Sequence, residues 1–438
     1  MASTPEPISM LAPLGFHEKL SRRALLKVGT ASAGLAVVAT ACGSSSSGGA
    51  NATTTSGPGA TSAPGNTTGG GDTTAAPAGG LTGSTLPKAS GDWSRVINKS
   101  SGTLSMYTWG DYNDPDIVGK LAESDLGVTM KVDYYTSNED LITKLSTSNG
   151  ASGFDIVVPT GPYIPQMIQK GLLEKFDKSK LPNMVNVDGQ YLGKDWDTTN
   201  DYSVCKDWGT TGYMWDSTVI TKPITSWQDF MDACMGEGSG NCSWLDTAPN
   251  VCGPYFWANG INWNTDKKED LDAAEAYLVD KVAKHIKAFD SYPSTNMAQG
   301  AYALSMFWNG DARQAYVRIK DAGGKPENFK WAIGSPATEI WMDNYAIAKG
   351  APNMDAAHAW INWLLVPEIS IKDLVYHGYN SGMKNIDALI KELVPSLANP
   401  EMVFFSADQV KSMQTQTIGA SQDRLVDIYN KVKAKAAG

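Results

Sequence analysis

Short apolar runs alternate with capped helical stretches from Thr103 onward, and that alternation restricts the fold more than any other feature. Thr103–Thr108 reads as a buried strand, Asp114–Glu123 as a helix and Val128–Tyr134 as a second strand. Ser137-Asn-Glu-Asp140 then opens a helix through Leu145, with the serine hydroxyl placed to accept from a free backbone N–H of the first turn. Asp155–Pro159 is a short apolar strand and Tyr163–Gly171 the next helix. Repeated β-α-β units bury both faces of a mostly parallel sheet, and ligands sit beyond the carboxyl ends of such strands. Trp109–Tyr112 and Thr160–Tyr163 occupy two of those ends.

Past Gly209 the pattern changes partner. Ser226-Trp-Gln-Asp229 caps another helix, and Lys267–Phe289 carries a helical stripe of Leu271, Ala274, Leu278, Val282 and Ile286. Ala303–Trp308 reads as a strand, and Asn344–Ala348 as a strand returning to the first lobe. Met354–Leu365 is an amphipathic helix stopped by Pro367, and Leu425–Lys433 a final helix. About 350 residues are available after Gly91, enough for two lobes with separate cores. Two lobes joined by two or more crossings, with a cleft between them, is the simplest architecture.

The chain ahead of this pattern has another character. Ser21-Arg22-Arg23-Ala24-Leu25-Leu26-Lys27 has the charge and order of a twin-arginine export signal. The small and apolar run that follows, Val28 to Ala41, is too short for a permanent membrane span. It ends in Ala39-Thr-Ala-Cys42, which resembles a lipoprotein processing site, so residues 1–41 are expected to be removed and Cys42 lipidated. One lipid group would hold the protein to the outer face of the cell membrane, or in the periplasm, less firmly than a spanning helix does. Residues 42–90 are almost entirely Gly, Ser, Thr, Ala, Pro and Asn up to Pro87, with Asp72 the sole charge from Gly43 to Pro87. Such a segment lacks the apolar mass for a core and reads as a flexible tether with a reach of roughly 35–40 Å.

Removing the signal, with four basic and two acidic residues, changes the formal charge from −10 to −12. That acidity argues against nucleic acid as a partner and suits a cationic ligand. Besides Cys42 there are Cys205, Cys234, Cys242 and Cys252, an even number that favours two disulfides in an exported domain. Of three connectivities, the favoured one joins Cys234 to Cys242 across the Gly-rich hairpin 235–241 and leaves Cys205 with Cys252.

Three tryptophan–aspartate pairs flank the strand-like runs: Trp109-Gly-Asp111-Tyr112, Trp308-Asn-Gly-Asp311 and Trp341-Met-Asp343. An indole face attracts a cation and a carboxylate neutralises it, so three such pairs brought together would hold a small organic amine. Asp343 stands within Ile-Trp-Met-Asp-Asn-Tyr-Ala-Ile, where an unpaired carboxylate would be costly to bury. Asp311 has competing partners in Arg313 and Arg318, and Asp111 could cap the helix beginning near Asp114. Catalysis finds little support. Ser381-Gly-Met-Lys384 matches Ser-x-x-Lys without a Lys-Thr-Gly partner, and His285, His358 and His377 are dispersed with no metal-ligand spacing. No phosphate-binding loop or dinucleotide fingerprint appears, and no cofactor or metal is expected.

Five segments in order resemble the polyamine-binding proteins of bacterial ABC importers: Tyr107-Thr-Trp-Gly-Asp-Tyr112, Phe154-Asp-Ile-Val-Val-Pro159, Gly171 to Leu181, Phe307-Trp-Asn-Gly-Asp311 and Ile340-Trp-Met-Asp343. The resemblance covers about residues 103–435. It implies an α/β, two-lobed type II periplasmic-binding-protein fold with mixed, mostly parallel sheets and a ligand cleft between lobes. The lobes are expected at 91–209 with 344–405 and at 210–343 with 406–438. It also implies a non-enzymatic, monomeric receptor that captures putrescine or spermidine and delivers it to ABC permease subunits. The implied ligand contacts are Trp109, Asp111, Tyr112, Thr160, Trp308, Asp311, Trp341, Asp343 and Tyr379. Departures are equally specific. Thr247 and Asn250 stand where the group often has acids, Pro162 where it often has tyrosine, and Gln414 and Gln416 compete for a late glutamine position. Loss of acids at one end suits a diamine better than a triamine. A saccharide- or other small-cation-binding receptor of an ABC importer and an exported two-carboxylate hydrolase are the alternatives.

Overall fold

Strand β1 (Gly102–Trp109) buries Leu104, Met106 and Thr108 on one side and delivers Trp109 to its carboxyl end. In the computed structural model, which describes residues 86–148 and 150–438, β1 lies parallel between β2 (Val128–Tyr135) and β3 (Ile156–Val157). The signal segment, Cys42 and residues 42–85 of the tether lie outside the described residues. Residues 86–90, expected to belong to the tether, instead dock: Ala89 is buried, and its N–H donates to Glu368 at 2.7 Å. The Ser90 N–H donates to Glu392, also at 2.7 Å, so backbone groups that water would otherwise satisfy are held by two carboxylates.

The remaining main strands are β4 (Leu173–Glu174), β5 (Ser203–Asp216), β6 (Cys242–Leu245), β7 (Ile286–Asp290), β8 (Leu304–Trp308), β9 (Phe329–Ile333) and β10 (Thr338–Ala348). Along the sheet the order is β2-β1-β3-β10-β5-β8-β6-β7. β5 is the strand that joins the halves. Its first part pairs antiparallel with β10 from Ser203 to Thr210, and its second part pairs antiparallel with β8 and β9 from Thr211 to Asp216. One core gathers Leu104, Ile117, Val158, Trp360 and Trp363; another gathers Tyr213, Trp227, Phe230, Trp244 and Trp257.

Two helices start where their serine caps place them. Ser137 accepts from the Asp140 N–H at the head of Asn138–Thr147, and Ser226 from the Asp229 N–H at the head of Trp227–Met235. Asp111 caps nothing; the helical stretch Ile117–Leu126 follows Asp116 without a side-chain cap. Two readings are corrected and one strand is added. The long helix expected over 267–289 ends as an α-helix at Tyr277, and Ile286–Asp290 is β7, drawn out by parallel pairing to β6. β5 has no alternation to reveal it because all but its last residue are buried. β10 begins at Thr338, six residues ahead of the expected strand.

The Cys205–Cys252 part of the disulfide expectation is corrected. All four described cysteines are unbonded thiols here. Cys205 packs with Trp208 and Met342, whereas Cys252 sits in the other core among Trp227 and Trp257, so these two cannot join. The Cys234 and Cys242 sulfurs do face each other at 2.6 Å, across a helix-to-strand turn rather than a hairpin.

Candidate ligand-binding cleft

Between the two cores lies a cavity of about 340 Å³, a size suited to a small organic ligand. All nine residues singled out in the sequence line it: Trp109, Asp111, Tyr112, Thr160, Trp308, Asp311, Trp341, Asp343 and Tyr379. They arrive from separate elements. Trp109 ends β1, Thr160 follows β3, Trp308 ends β8, and Trp341 and Asp343 lie on β10.

Each aromatic wall is fixed from behind. The Trp109 indole N–H donates to the Val158 carbonyl at 3.1 Å, and its ring meets Tyr135 edge-on with centroids 4.6 Å apart. Tyr379 stands edge-on to Trp341 at 4.8 Å and to Tyr112 at 5.6 Å. Its hydroxyl donates to Asp311. Trp341 lies across Gly209, where any β-carbon would collide with the indole. Thr160 is set by Asn138, whose side chain accepts from the Thr160 N–H and donates to its hydroxyl, both at 3.0 Å.

Asp343 is the most unusual of the nine. It is only 5% exposed, its Oδ2 lies 2.8 Å from the Tyr112 hydroxyl, and its Oδ1 completes no hydrogen bond, with the Thr160 hydroxyl the group nearby that favours the ionised form. Burial, with the nearby Asp207 charge, pushes its carboxyl up to about 7. No basic side chain pairs with it among the described residues. A buried carboxylate with a vacant oxygen favours an incoming cation strongly.

A β-bulge explains what lies beneath. Asp343 pairs with Asp207 but Asn344 pairs with Cys205, leaving Lys206 as the extra residue. Regular pleating would send Lys206 and Asp207 to opposite faces; here they form a buried ion pair at 2.8 Å. Lys206 also reaches Asp373 at 3.3 Å and sits 4.0 Å from the centre of the Tyr112 ring. The Tyr112 hydroxyl also contacts Asp207 and, with one proton, donates to only one of the two carboxylates, so it links this internally neutralised pair to the cleft acid. His377 adds no charge: burial pushes its pKa well below the ordinary value, and Nδ1 accepts from the Tyr379 N–H at 3.0 Å.

The other two aspartates differ from Asp343 and from each other. Arg318 pairs with Asp111 at 2.9 Å, not with Asp311. Arg313 is occupied by the carbonyls of Val375 and Ala398. Asp111 is therefore partly neutralised from within, while Asp311 keeps only hydroxyl donors and burial raises its carboxyl to about 6.

Comparison with known proteins agrees with this geometry. Residues 117–393 match the family described as bacterial extracellular solute-binding protein. The spermidine/putrescine-binding periplasmic protein of Escherichia coli is 31% identical over 338 residues, 76% of this chain and 92% of the relative. The chain belongs to the bacterial extracellular solute-binding protein family. A putrescine/agmatine-binding protein of Pseudomonas aeruginosa is 26% identical over 343 residues, covering 76% of this chain and 92% of that protein. Among solved structures, the TpPotD lipoprotein of Treponema pallidum superposes with a TM-score of 0.65 at 26% identity, over 76% of this chain and 99% of that one. The resemblance read from the sequence is borne out, and the fold is that of the type II periplasmic binding proteins.

Within this solute-binding fold the cleft includes residues that the sequence did not single out. Tyr135, Asn138, Glu139, Tyr163, Tyr292 and Glu339 also line it. Glu139 accepts from the Tyr163 hydroxyl at 2.9 Å near the entrance, where Glu139 is exposed. The glutamine ambiguity resolves by position: Gln416 lines the cavity, whereas Gln414 accepts from the Trp263 N–H at 3.1 Å. Thr247 and Asn250 line it as well, so the departures from the expected acids fall inside the site. Glu339 was legible in principle. Glu339, Trp341 and Asp343 alternate on one face of β10, a pattern visible once the strand starts at Thr338.

Proposed function

We propose that this protein captures a polyamine of the putrescine or spermidine class outside the cytoplasm and presents it to the permease subunits of an ABC importer, without chemical turnover. The observation that carries this reading is Asp343: a buried carboxylate with no cationic partner and one vacant oxygen, set among indole faces. An ammonium group would occupy the vacant oxygen, and the methylene chain would lie against Trp109, Trp308 and Trp341. Asp311, Tyr112, Thr160 and Tyr379 complete the contact set. Asp111 acts at the rim, weakened by its ion pair with Arg318. Each cation–π contact contributes about 0.5–2 kcal/mol. Several of these plus one desolvated ion pair reach the roughly −8 kcal/mol of micromolar binding after ordering costs.

The relatives named for spermidine, putrescine or agmatine support the same ligand class. In the proposed arrangement the lobes comprise 91–209 with 344–405 and 210–343 with 406–438. A monomer tethered by lipid on Cys42 would close them on ligand and dock on the permease; one structural relative is named a lipoprotein. Titration calorimetry with putrescine, spermidine, γ-aminobutyrate and maltose tests the reading. Saturable heat with the first two is expected; heat with maltose and none with either amine refutes it.

A further inference from the structure

Among the six carboxylates lining the cleft, two are neutralised by an internal cation. Asp111 has Arg318, and Asp246 has Lys433 at 2.7 Å. Glu139 is exposed and takes the Tyr163 hydroxyl. Glu339, like Asp311 and Asp343, has no cation paired with it among the described residues. It is 6% exposed, lines the cavity, and has only neutral neighbours: the Thr211 hydroxyl, the Asn250 side-chain amide at 2.8 Å and the Trp308 indole. Thr211 and Asn250 both donate to the same oxygen, Oε1. A carboxylate has room for about four hydrogen bonds, so Oε2 retains acceptor capacity.

The backbone places this group deliberately far from Asp343. Thr210 donates its hydroxyl to the Glu339 carbonyl at 2.6 Å, and Thr338 donates to the Thr211 carbonyl at 2.7 Å, pinning β10 to the strand that joins the two cores. Asn250 is in turn oriented by Thr247, whose hydroxyl donates to the Asn250 side-chain carbonyl at 2.8 Å. That bond fixes which end of the amide faces Glu339. These are the two positions where acids were expected from the resemblance, and here they serve to hold an acid supplied by another strand.

We propose that Glu339 is the second cation anchor of the cleft, so that one ligand spans from Asp343 to Glu339 with its alkyl chain crossing Trp341. This rests on the amine reading of the site and adds the location of its distal charge. Residues 339 and 343 share a face, and the bulge falls after Asp343, so the strand between them is regular. Four residues of strand span about 13 Å; allowing about 2.8 Å for each ammonium–carboxylate contact leaves roughly 7 Å between nitrogens. An extended chain of about four or five carbons fits that gap. The ligand class is an α,ω-diamine with a primary ammonium at each end.

Calorimetry on the full mature chain tests this with putrescine, cadaverine, spermidine and 1-butylamine, which lacks the second ammonium. In the wild type, putrescine or cadaverine should bind at least about thirtyfold more tightly than butylamine, given the cost of leaving a buried charge unpaired. Glu339→Gln, which keeps the side-chain shape, should remove most of that advantage while leaving butylamine within about threefold. An unchanged diamine affinity in Glu339→Gln overturns the assignment while leaving the amine reading intact. Failure of every amine to bind the wild type refutes the amine reading itself. Should Glu339→Gln not fold, a crystal structure of the wild type with putrescine decides: an ammonium within hydrogen-bond distance of Glu339 supports the assignment, and one beyond about 4 Å overturns it.

Discussion

Lowering the pH should weaken amine binding steeply below neutrality, because the anchoring carboxyls must lose protons to accept a cation. Burial raises Asp343 and Glu339 to about 7 and Asp311 to about 6 in the unliganded protein. A group of pKa 7 that must ionise multiplies the dissociation constant by about 1.1 at pH 8 and about 11 at pH 6. Asp343 alone therefore costs about tenfold between those values, or about 1.4 kcal/mol. Asp343 and Glu339 together cost roughly hundredfold, and Asp311 adds about twofold. Titration of the wild type with putrescine at pH 6, 7 and 8, in two buffers of different ionisation enthalpy, gives both affinity and proton count. Proton release near pH 6–7 is expected. An affinity constant within threefold from pH 8 to pH 6, or net proton uptake, would refute the reasoning. Stability has the opposite sign from a salt-bridged acid. The folded carboxyl of Asp343 binds its proton more tightly than the unfolded one, so unliganded stability falls as pH rises from about 4 to about 7. The full effect is at most ~4 kcal/mol above pH 7, and Asp343→Asn should abolish that part of the pH dependence in thermal melts.

Asp343→Asn should lose at least about a hundredfold in putrescine affinity, whereas Asp111→Asn should lose only a few-fold because Arg318 already neutralises that acid; equal losses by calorimetry would contradict the distinction. Gly209→Ala places a methyl group against the Trp341 ring and the Asn309 side chain, and should weaken binding about tenfold or more and lower the melting temperature. A wild-type affinity in that variant would show that Trp341 is not fixed by this contact. In the exported protein Cys234 and Cys242 should join, lowering the mass by two hydrogens, while Cys205 and Cys252 remain free; thiol labelling after denaturation without reductant counts them.

The legible part of this protein was what local chemistry controls. Ser137 and Ser226 announced their helices because a hydroxyl three residues ahead of a free N–H is a local arrangement. The strand ends bearing Trp109 and Trp308 were readable from apolar runs that stop at a tryptophan and an acid; Trp341 and Asp343 lie within β10, and all nine chosen residues line one cavity. What stayed hidden depends on pairing between distant segments. β5 looks like no strand because burial on both faces erases alternation, and β7 looks helical until β6 is beside it.

Partners of charged groups were similarly beyond reach of the linear pattern. Arg318 chose Asp111 over the nearer Asp311, and Cys205 and Cys252 proved to belong to different cores. Lys206 and Asp207 meet only because a bulge opposite Asp343 defeats the pleat. The sequence by itself determined which kinds of group the cleft would contain: indoles, acids and few cations. Tertiary structure decided which acids are spent inside the protein and which remain for a ligand. The reason is physical: a carboxylate's availability depends on the charges and donors within a few ångströms, and those come from strands far apart in the chain.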